Sequence, residues 1–256
     1  MAFLRDTWHL FLRLLRATMR MPVFVLISIV QPVLWVLLFG QLFSSVTRIP
    51  GFGEASYVQF LAPGISIMTA LFGAAYSGMG LLGDMDRGVL DRFLATPASR
   101  GSLIASRILH SALQVVVQAG IILCVTALLG ARPRGGLLGL AALLLAAALL
   151  GAAFAAFSNA LALLARRQEL IIAVMNFIVL PSTFLSSMIM SGNLMPGWIH
   201  QASRLNPVNW AVVAARDGFE GRAPAELAVR LALLALFALA CTLFATRAFG
   251  RYRRSL

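Results

Sequence analysis

Reactive side chains are scarce in this sequence, and their scarcity excludes several kinds of protein. The two cysteines, Cys124 and Cys241, lack metal-ligand spacing and predict neither a metal centre nor a disulfide framework. The sequence contains no Walker-type phosphate loop, so we do not expect the chain to hydrolyse ATP unaided or to bind a cofactor. Ser191-Gly192 lacks the preceding Gly-x of a nucleophile elbow, and no His/Asp/Glu cluster suggests a metal hydrolase. We therefore do not expect an enzyme.

Charged residues are also few, whereas apolar residues dominate. Hydrophobic residues make up 60% of the chain, charged residues 12%, and the mean hydropathy is +0.89, outside the range of soluble domains. Apolar runs of about 18 residues or more recur, and each can cross the hydrocarbon of a bilayer as a helix. The sequence predicts an all-α polytopic membrane protein with one transmembrane domain over residues 1–256. Its six predicted spans are residues 23–46, 57–82, 103–129, 137–165, 170–190 and 228–246.

Charge is distributed unevenly around these spans. No Asp or Glu falls inside a predicted span, which disfavours an ion-coupled secondary transporter. Lysine is absent, and all 21 basic residues are arginines that flank the spans instead of clustering on a soluble domain. Most of them lie on the side that carries both termini, so the positive-inside rule places both termini in the cytoplasm. The basicity therefore indicates topology, and we expect no nucleic-acid partner.

Residues 1–22 predict an amphipathic helix on the membrane surface. Arg5, His9, Arg13, Arg16 and Arg20 fall within an arc of roughly 80° on a helix, and apolar residues occupy the rest. Such a helix lies flat, with its arginines toward anionic headgroups and its aromatic residues toward acyl chains. The alternative is a frayed basic tail.

Polar residues inside the spans are candidates for a cargo pathway. His110, Gln114 and Gln118 recur every four residues on one face of the third span, and Asn176 lies in the fifth. Polar groups at this depth must face protein or water. Two interpretations stay open, namely hydrogen bonding between helices and contact with a transported molecule.

Residues 191–227, between the fifth and sixth spans, predict a re-entrant pair of short helices. Pro181 and Gly192 favour a chain that bends, and Asn206-Pro207 is typical of a helix start. We expect this segment, because of its apolar surface, to fold back to the bilayer surface and pack against the first and fifth spans. The alternative is a plain surface loop. The residues predicted to close the outer end of the pathway are Pro196, Gly197, Trp198, Asn206, Pro207 and Trp210.

The most charged segment covers residues 84–100, between the second and third spans. Its mixture of charged and apolar residues suits contact with a soluble partner better than contact with lipid. We expect a short helix there that docks into that partner. The candidate docking residues are Asp84, Asp86, Arg87, Gly88, Leu90, Asp91, Arg92, Phe93, Leu94 and Pro97.

This segment resembles the cytoplasmic coupling segment of ABC type-2 exporter permeases, Glu-x-Glu-x-Gly-Thr-Leu-Glu-Arg-Leu-Leu-x-Thr-Pro. The chain departs from that run by Asp in place of Glu three times, by Val89 for Thr and by Phe93 for Leu. Residues 190–198 and Leu205-Asn206-Pro207 resemble the family's outer segment. The daunorubicin-resistance type is similar in length and in its compact loops. The matching positions in the coupling segment are Asp84, Asp86, Gly88, Leu90, Asp91, Arg92, Leu94, Thr96 and Pro97.

The resemblance implies a transmembrane subunit of an ATP-driven exporter in a bacterial plasma membrane. Its partners would be a cytosolic ATPase, which holds ATP and Mg²⁺, and a second permease subunit in a homodimer or heterodimer. The implied cargo is a hydrophobic drug, antibiotic or lipid-like molecule, or alternatively a polysaccharide or lipid-linked glycan. A self-sufficient secondary transporter and an intramembrane enzyme are the alternatives from other classes.

Overall fold

The structure is a computed structural model that describes residues 2–20, 22–43, 45, 56–94, 100–188 and 195–254. Within these ranges the chain is helical and forms no strand, as the composition predicts. The helices are α1 (Ala2–Met19), α2 (Pro22–Leu42), α3 (Tyr57–Ala75), α4 (Ser77–Asp86), α5 (Val89–Leu94), α6 (Arg100–Leu128), α7 (Gly136–Ala165), α8 (Gln168–Phe184), α9 (Gly197–Arg204), α10 (Pro207–Glu220) and α11 (Pro224–Arg254).

Helix α7 is the centre of the bundle, and it packs against α3, α4, α6, α8, α10 and α11. Its buried side is rich in small residues, which let neighbouring helix backbones approach closely. Ala147 and Ala155 are fully buried, and a Cβ added at Gly151 would lie 3.0 Å from the Val115 side chain. The small residues of α7 therefore allow close packing in the centre of the bundle.

Four helical stretches in the described residues are long and apolar enough to cross a bilayer, namely Tyr57–Asp86, Gly101–Leu128, Gly136–Ala165 and Pro224–Tyr252. They correspond to the second, third, fourth and sixth predicted spans. The first and fifth predicted spans correspond to the shorter apolar stretches Ile29–Leu42 and Gln168–Phe184. Parts of both predicted spans, including residues 46, 189 and 190, lie outside the described residues.

The second predicted span is not one straight helix, because it breaks at Tyr76 between α3 and α4. Tyr76 has φ −104° and ψ 13°, outside helical geometry. Beyond the break, the Ser77 hydroxyl donates to the Ala155 carbonyl of α7, 3.3 Å away. A Cβ at Gly78 would lie 2.2 Å from the Ser158 carbonyl oxygen, so α4 lies directly on the α7 backbone there. The pair Ser77-Gly78, a turn signal, directly follows this tyrosine, but the length of the apolar run favoured one continuous helix.

Helix α8 ends earlier than the predicted fifth span. Pro181 lies inside its last turn, and the Leu185 N–H closes the helix by donating to the Pro181 carbonyl at 2.8 Å. The helix therefore ends near Pro181, whereas Gly192 and the rest of the predicted bend lie outside the described residues. Helix α11 is longer than the predicted sixth span at both ends.

Candidate functional site

The end of α4 turns sharply into α5 at Gly88. Gly88 has φ +64°, a left-handed conformation that side chains disfavour, and its N–H donates to the Met85 carbonyl at 2.9 Å. Val89–Leu94 then forms a short helix. The short helix predicted here is confirmed, with Gly88 as the turn before it. We call residues 84–94 the α4–α5 corner; Pro97 lies outside the described residues.

Asp84 forms ion pairs with three arginines at this corner and accepts hydrogen bonds from two of them, Arg13 and Arg107. The Arg13 guanidinium of α1 lies 3.1 Å from the Asp84 carboxylate, Arg87 lies 3.9 Å from it, and Arg107 of α6 bonds it closely. The Asp84 and Arg107 side chains are only 14% and 10% exposed. These four residues, the Asp84 cluster, join α1, α4 and α6 through one largely buried carboxylate.

Arg13 makes a second contact at the corner, because its guanidinium carbon lies 4.9 Å from the centre of the Phe93 ring. A cavity of about 10 Å³, room for about one water molecule, lies between α1, α5 and α6 beside Leu14, Leu90 and Leu103. Leu90 is fully buried, whereas Asp86 and Arg87 are exposed and Phe93 is half-buried. Among the candidate docking residues whose side chains the structure describes, Asp84 and Leu90 therefore face inward, whereas Asp86 and Arg87 face outward.

Arg13 does not behave as its place in the N-terminal arc predicts. Arg5, His9, Arg16 and Arg20 are exposed, as expected, but Arg13 points into the Asp84 cluster. The helix-wheel position of Arg13, at the edge of the arc, brings it next to α4. The prediction that it faces lipid headgroups is wrong.

The four candidate cargo residues do not come together. His110 hydrogen-bonds the Thr18 hydroxyl of α1 at 2.9 Å, and Gln118 is buried beside Gly73 of α3. Asn176 of α8 instead accepts from the Tyr76 hydroxyl at 2.6 Å. Within the described residues α6 and α8 make no appreciable contact, whereas α3 and α7 each pack against both. The third-span stripe therefore makes helix-to-helix contacts, with Gln114 half-buried on it.

Hydrogen bonds connect the end of α8 with the start of α10. Asn206 caps α10 by accepting from the Val208 N–H at 3.0 Å, and Pro207 follows as the first helical residue, as predicted. The Asn206 amide also donates to the Ser182 and Leu185 carbonyls at 2.6 and 3.0 Å. These bonds satisfy carbonyls that the end of α8 would otherwise leave without helical partners.

Two further residues of α10 in this contact were missed from the sequence. Asn209 accepts from the backbone N–H and the hydroxyl of Ser187, both at 2.9 Å. Arg216 donates to the Ser187 carbonyl at 2.9 Å and lies 4.0 Å above the Phe60 ring. Their positions relative to Asn206 place all three within roughly 80° on the helix, a pattern that could have indicated a shared partner.

Helices α9 and α10 differ in burial. Helix α10 packs against α3, α7 and α11, and lightly against α8, but not against α2 in the described part of the chain. Helix α9 adjoins mainly α10, and Trp198 and Leu205 are 68% and 82% exposed. Trp210 ties the two by donating to the Arg204 carbonyl at 2.6 Å. Of the contacts expected for this segment, that with the fifth span is made between α10 and α8, while Pro196 and Gly197 precede and begin α9 as predicted.

Glu220, at the end of α10, is a second buried carboxylate. It accepts from the Gln59 amide of α3, lies 3.1 Å from Arg134 and 3.8 Å from Arg222, and its side chain is 2% exposed. Gln59 also donates to the Arg132 carbonyl at 2.8 Å and accepts from the Arg132 N–H at 2.7 Å. We call Gln59, Arg134, Glu220 and Arg222 the Glu220 cluster.

Nearby, Asp217 of α10 bonds Arg230 of α11. Burial raises the pKa of the Asp217 carboxyl above its usual value, although the Arg230 guanidinium opposes the shift. No group of three or more His, Cys, Asp or Glu residues in the described ranges is placed to hold a metal ion.

Comparison with known proteins yields one family and several relatives. The model of the ABC-2 type transporter family matches residues 5–219. The daunorubicin resistance ABC transporter permease protein DrrB1 of Streptomyces coeruleorubidus is 28% identical over 233 residues, 88% of this chain and 81% of that protein. A protein of Cyanophora paradoxa named as a transport permease, ycf38, is 32% identical over 82% of this chain and 72% of its own. A Mycobacterium tuberculosis protein named as a doxorubicin resistance ABC transporter permease, DrrC, is 27% identical over 95% of this chain and 86% of its own length.

Proposed function

Because the chain belongs to the ABC-2 type transporter family, we propose that it exports cargo by coupling to a separate cytosolic ATPase. The family consists of transport permeases, so the chain is a membrane-embedded transport subunit. ATP and Mg²⁺ would be held by the ATPase, since this sequence has no phosphate loop of its own.

The α4–α5 corner carries this proposal. It lies at the end of the long apolar stretch Tyr57–Asp86 and before Gly101–Leu128. Asp86 and Arg87 are exposed there and Phe93 is half-buried, so a partner can meet both charge and apolar surface. The inward ion pairs of Asp84 hold this surface against α1 and α6. A movement imposed on the corner would therefore be passed directly to two other helices.

We further propose six spans, with both termini and the α4–α5 corner on the cytoplasmic side of a bacterial plasma membrane. Helix α2 has 21 residues, about 32 Å at the rise of an α-helix, and α8 has 17, about 26 Å. These lengths support adding both to the four long stretches. The arginines near Ala165, Arg254 and the corner support the orientation.

The cargo we propose is a hydrophobic or amphipathic drug or lipid-like molecule, exported by a homodimer of this chain with its ATPase. Two relatives carry daunorubicin and doxorubicin resistance in their names, which favours the drug. Among the candidate cargo residues, Asn176 supports a pathway best. It is only half-buried, it pairs with Tyr76 at the helix break, and the neighbouring Phe177 is exposed on α8. The α9–α10 segment would close the outer end of that pathway.

Reconstitution tests the proposal. The permease and its ATPase, placed together in liposomes, should export an anthracycline in an ATP-dependent manner. The double variant Asp86→Arg with Arg87→Glu should lose most transport while membrane insertion is unchanged, because both side chains are exposed at the corner. Arg132→Glu is the control, because the Arg132 side chain is exposed at the other end of Tyr57–Asp86, and it should transport normally. Transport driven by a proton gradient without ATP, or an unaffected corner variant, would contradict the proposal.

A further inference from the structure

Helix α1 presents three different faces. Phe11 is buried against the bundle, and the helix packs mainly on α6. A second face is apolar yet exposed, with Leu4 73% and Met19 72% exposed and Trp8 beside them. The third face carries the exposed basic residues Arg5, His9, Arg16 and Arg20.

The two exposed faces adjoin each other, and this arrangement selects their occupant. A purely acidic protein surface would match the basic face and leave the apolar face in water. A bilayer with anionic phospholipid matches both, because acyl chains take the apolar residues and headgroup phosphates take the arginines.

Arg13 connects this helix to the α4–α5 corner. It lies between the basic face and the bundle, where it bonds both carboxylate oxygens of Asp84 at 3.2 and 3.1 Å. The same guanidinium covers the Phe93 ring of α5. One side chain of α1 therefore contacts the end of α4 and the short helix after it.

The Asp84 cluster has more positive than negative charge, since three arginines surround one carboxylate. Arg107 is the most buried of the three and Arg13 is 40% exposed, so Asp84 can keep Arg107 when α1 shifts. The Arg13 contact is therefore the adjustable one.

We propose that anionic phospholipid bound to the exposed faces of α1 fixes that helix and, through Arg13, orders the α4–α5 corner. Anionic lipid is thus a positive regulator of coupling, and Arg13 is the positioning residue that transmits its effect. This regulation rests on the proposed coupling function, but the ordering of the corner by lipid does not require an ATPase.

Hydrogen exchange on the full-length permease in nanodiscs tests the ordering directly. Discs of phosphatidylcholine alone are compared with discs that contain phosphatidylglycerol, and exchange is read separately for residues 2–20 and 84–94. In the wild type, phosphatidylglycerol should slow exchange in both segments several-fold. Replacing Arg5, Arg16 and Arg20 by Gln should lower the affinity of α1 for phosphatidylglycerol by about fivefold for each charge removed. The slowing of exchange by this lipid should therefore weaken in both segments.

The Arg13 variants separate transmission from lipid binding. Arg13→Gln should retain the lipid response in residues 2–20 and lose it in residues 84–94. Arg13→Lys keeps the charge but not the planar contact with Phe93, and should restore part of the response. Free inorganic phosphate at equal charge should have no effect, since it offers no apolar surface.

The inference is overturned if the wild-type corner exchanges equally in both lipids, or if Arg13→Gln leaves the corner response intact. A phosphate effect equal to that of phosphatidylglycerol would also overturn it. Because no ATPase is present, these results are independent of the reconstitution result. A lipid response in discs without ATP-dependent transport in liposomes would reject the proposed function alone.

Discussion

The two ends of the stretch Tyr57–Asp86 are joined to the neighbouring helices by different kinds of contact. A largely buried carboxylate lies among arginines at each end. At the start it is Glu220 of α10, which contacts Gln59, and near the other end it is Asp84 of the stretch. At the Glu220 end, Gln59 makes two hydrogen bonds to the backbone of Arg132. The backbones of Gly139 and Gly218 also lie in close contact there. At the Asp84 end, side-chain ion pairs and the contact of Arg13 with the Phe93 ring join the helices beside a small cavity.

This difference indicates what each end tolerates. An end held by touching backbones should withstand the loss of a surface charge but not the gain of an atom. An end held by ion pairs should withstand small changes in volume but not the loss of its central charge. The first end is suited to a fixed boundary and the second to a joint that moves.

The loss of the Asp84 charge should have the largest effect. Asp84→Asn leaves the buried Arg107 guanidinium without its carboxylate, and breaking such a pair costs about 3 kcal/mol in the free energy of unfolding. Unfolding by titration with SDS measures this loss. Asp86→Asn removes the same charge two residues away, at an exposed position, and should change stability by less than about 0.5 kcal/mol. Equal effects of the two variants would show that Asp84 is not the centre of this joint.

An added methyl group at the opposite end should come next. In Gly139→Ala the new Cβ would lie 2.0 Å from the Gly218 carbonyl oxygen, so α7 and α10 must separate. We expect a loss of about 2 kcal/mol, typical of overpacking, with a fall in the thermal midpoint of several degrees. Gly120→Ala is the control, because nothing lies within 4 Å of its added Cβ and alanine favours helix. A stable Gly139→Ala protein would mean that the backbones do not touch.

Much of this architecture follows from the apolar pattern of the sequence and from the residues that begin or end its helices. Long apolar runs, Gly88 before α5 and Asn206-Pro207 before α10 act locally, so their consequences were predictable. The break at Tyr76 and the inward direction of Arg13 depend on which helix lies alongside, α7 in one case and α4 in the other. The tie from Asn209 and Arg216 to Ser187 joins residues more than 20 positions apart.

The loss of the Asn206 cap should have an intermediate effect. Asn206→Ala removes the cap of α10 and both hydrogen bonds to the end of α8, which should cost about 1–2 kcal/mol. Asn206→Asp is the informative partner variant, because the carboxylate still caps the Val208 N–H but cannot donate to the Ser182 and Leu185 carbonyls. Its stability, measured by the same SDS titration, should fall between that of the wild type and Asn206→Ala. If Asn206→Asp equals the wild type, the contact with α8 contributes nothing.

The smallest effect should follow from removing the arginine charges at the Glu220 end. Arg134 and Arg222 both have side chains 54% exposed, so water already screens their attraction to Glu220. Exposed ion pairs contribute little, and Arg134→Gln or Arg222→Gln should each cost less than about 0.5 kcal/mol. Gln59 should contribute more to the stability of this end, because its amide hydrogen-bonds both Glu220 and the Arg132 backbone. Gln59→Leu would leave Glu220 buried without that amide, and it should therefore cost several times more than either arginine variant. Comparable losses for all three variants would show that charge, not the amide and the touching backbones, holds this end together.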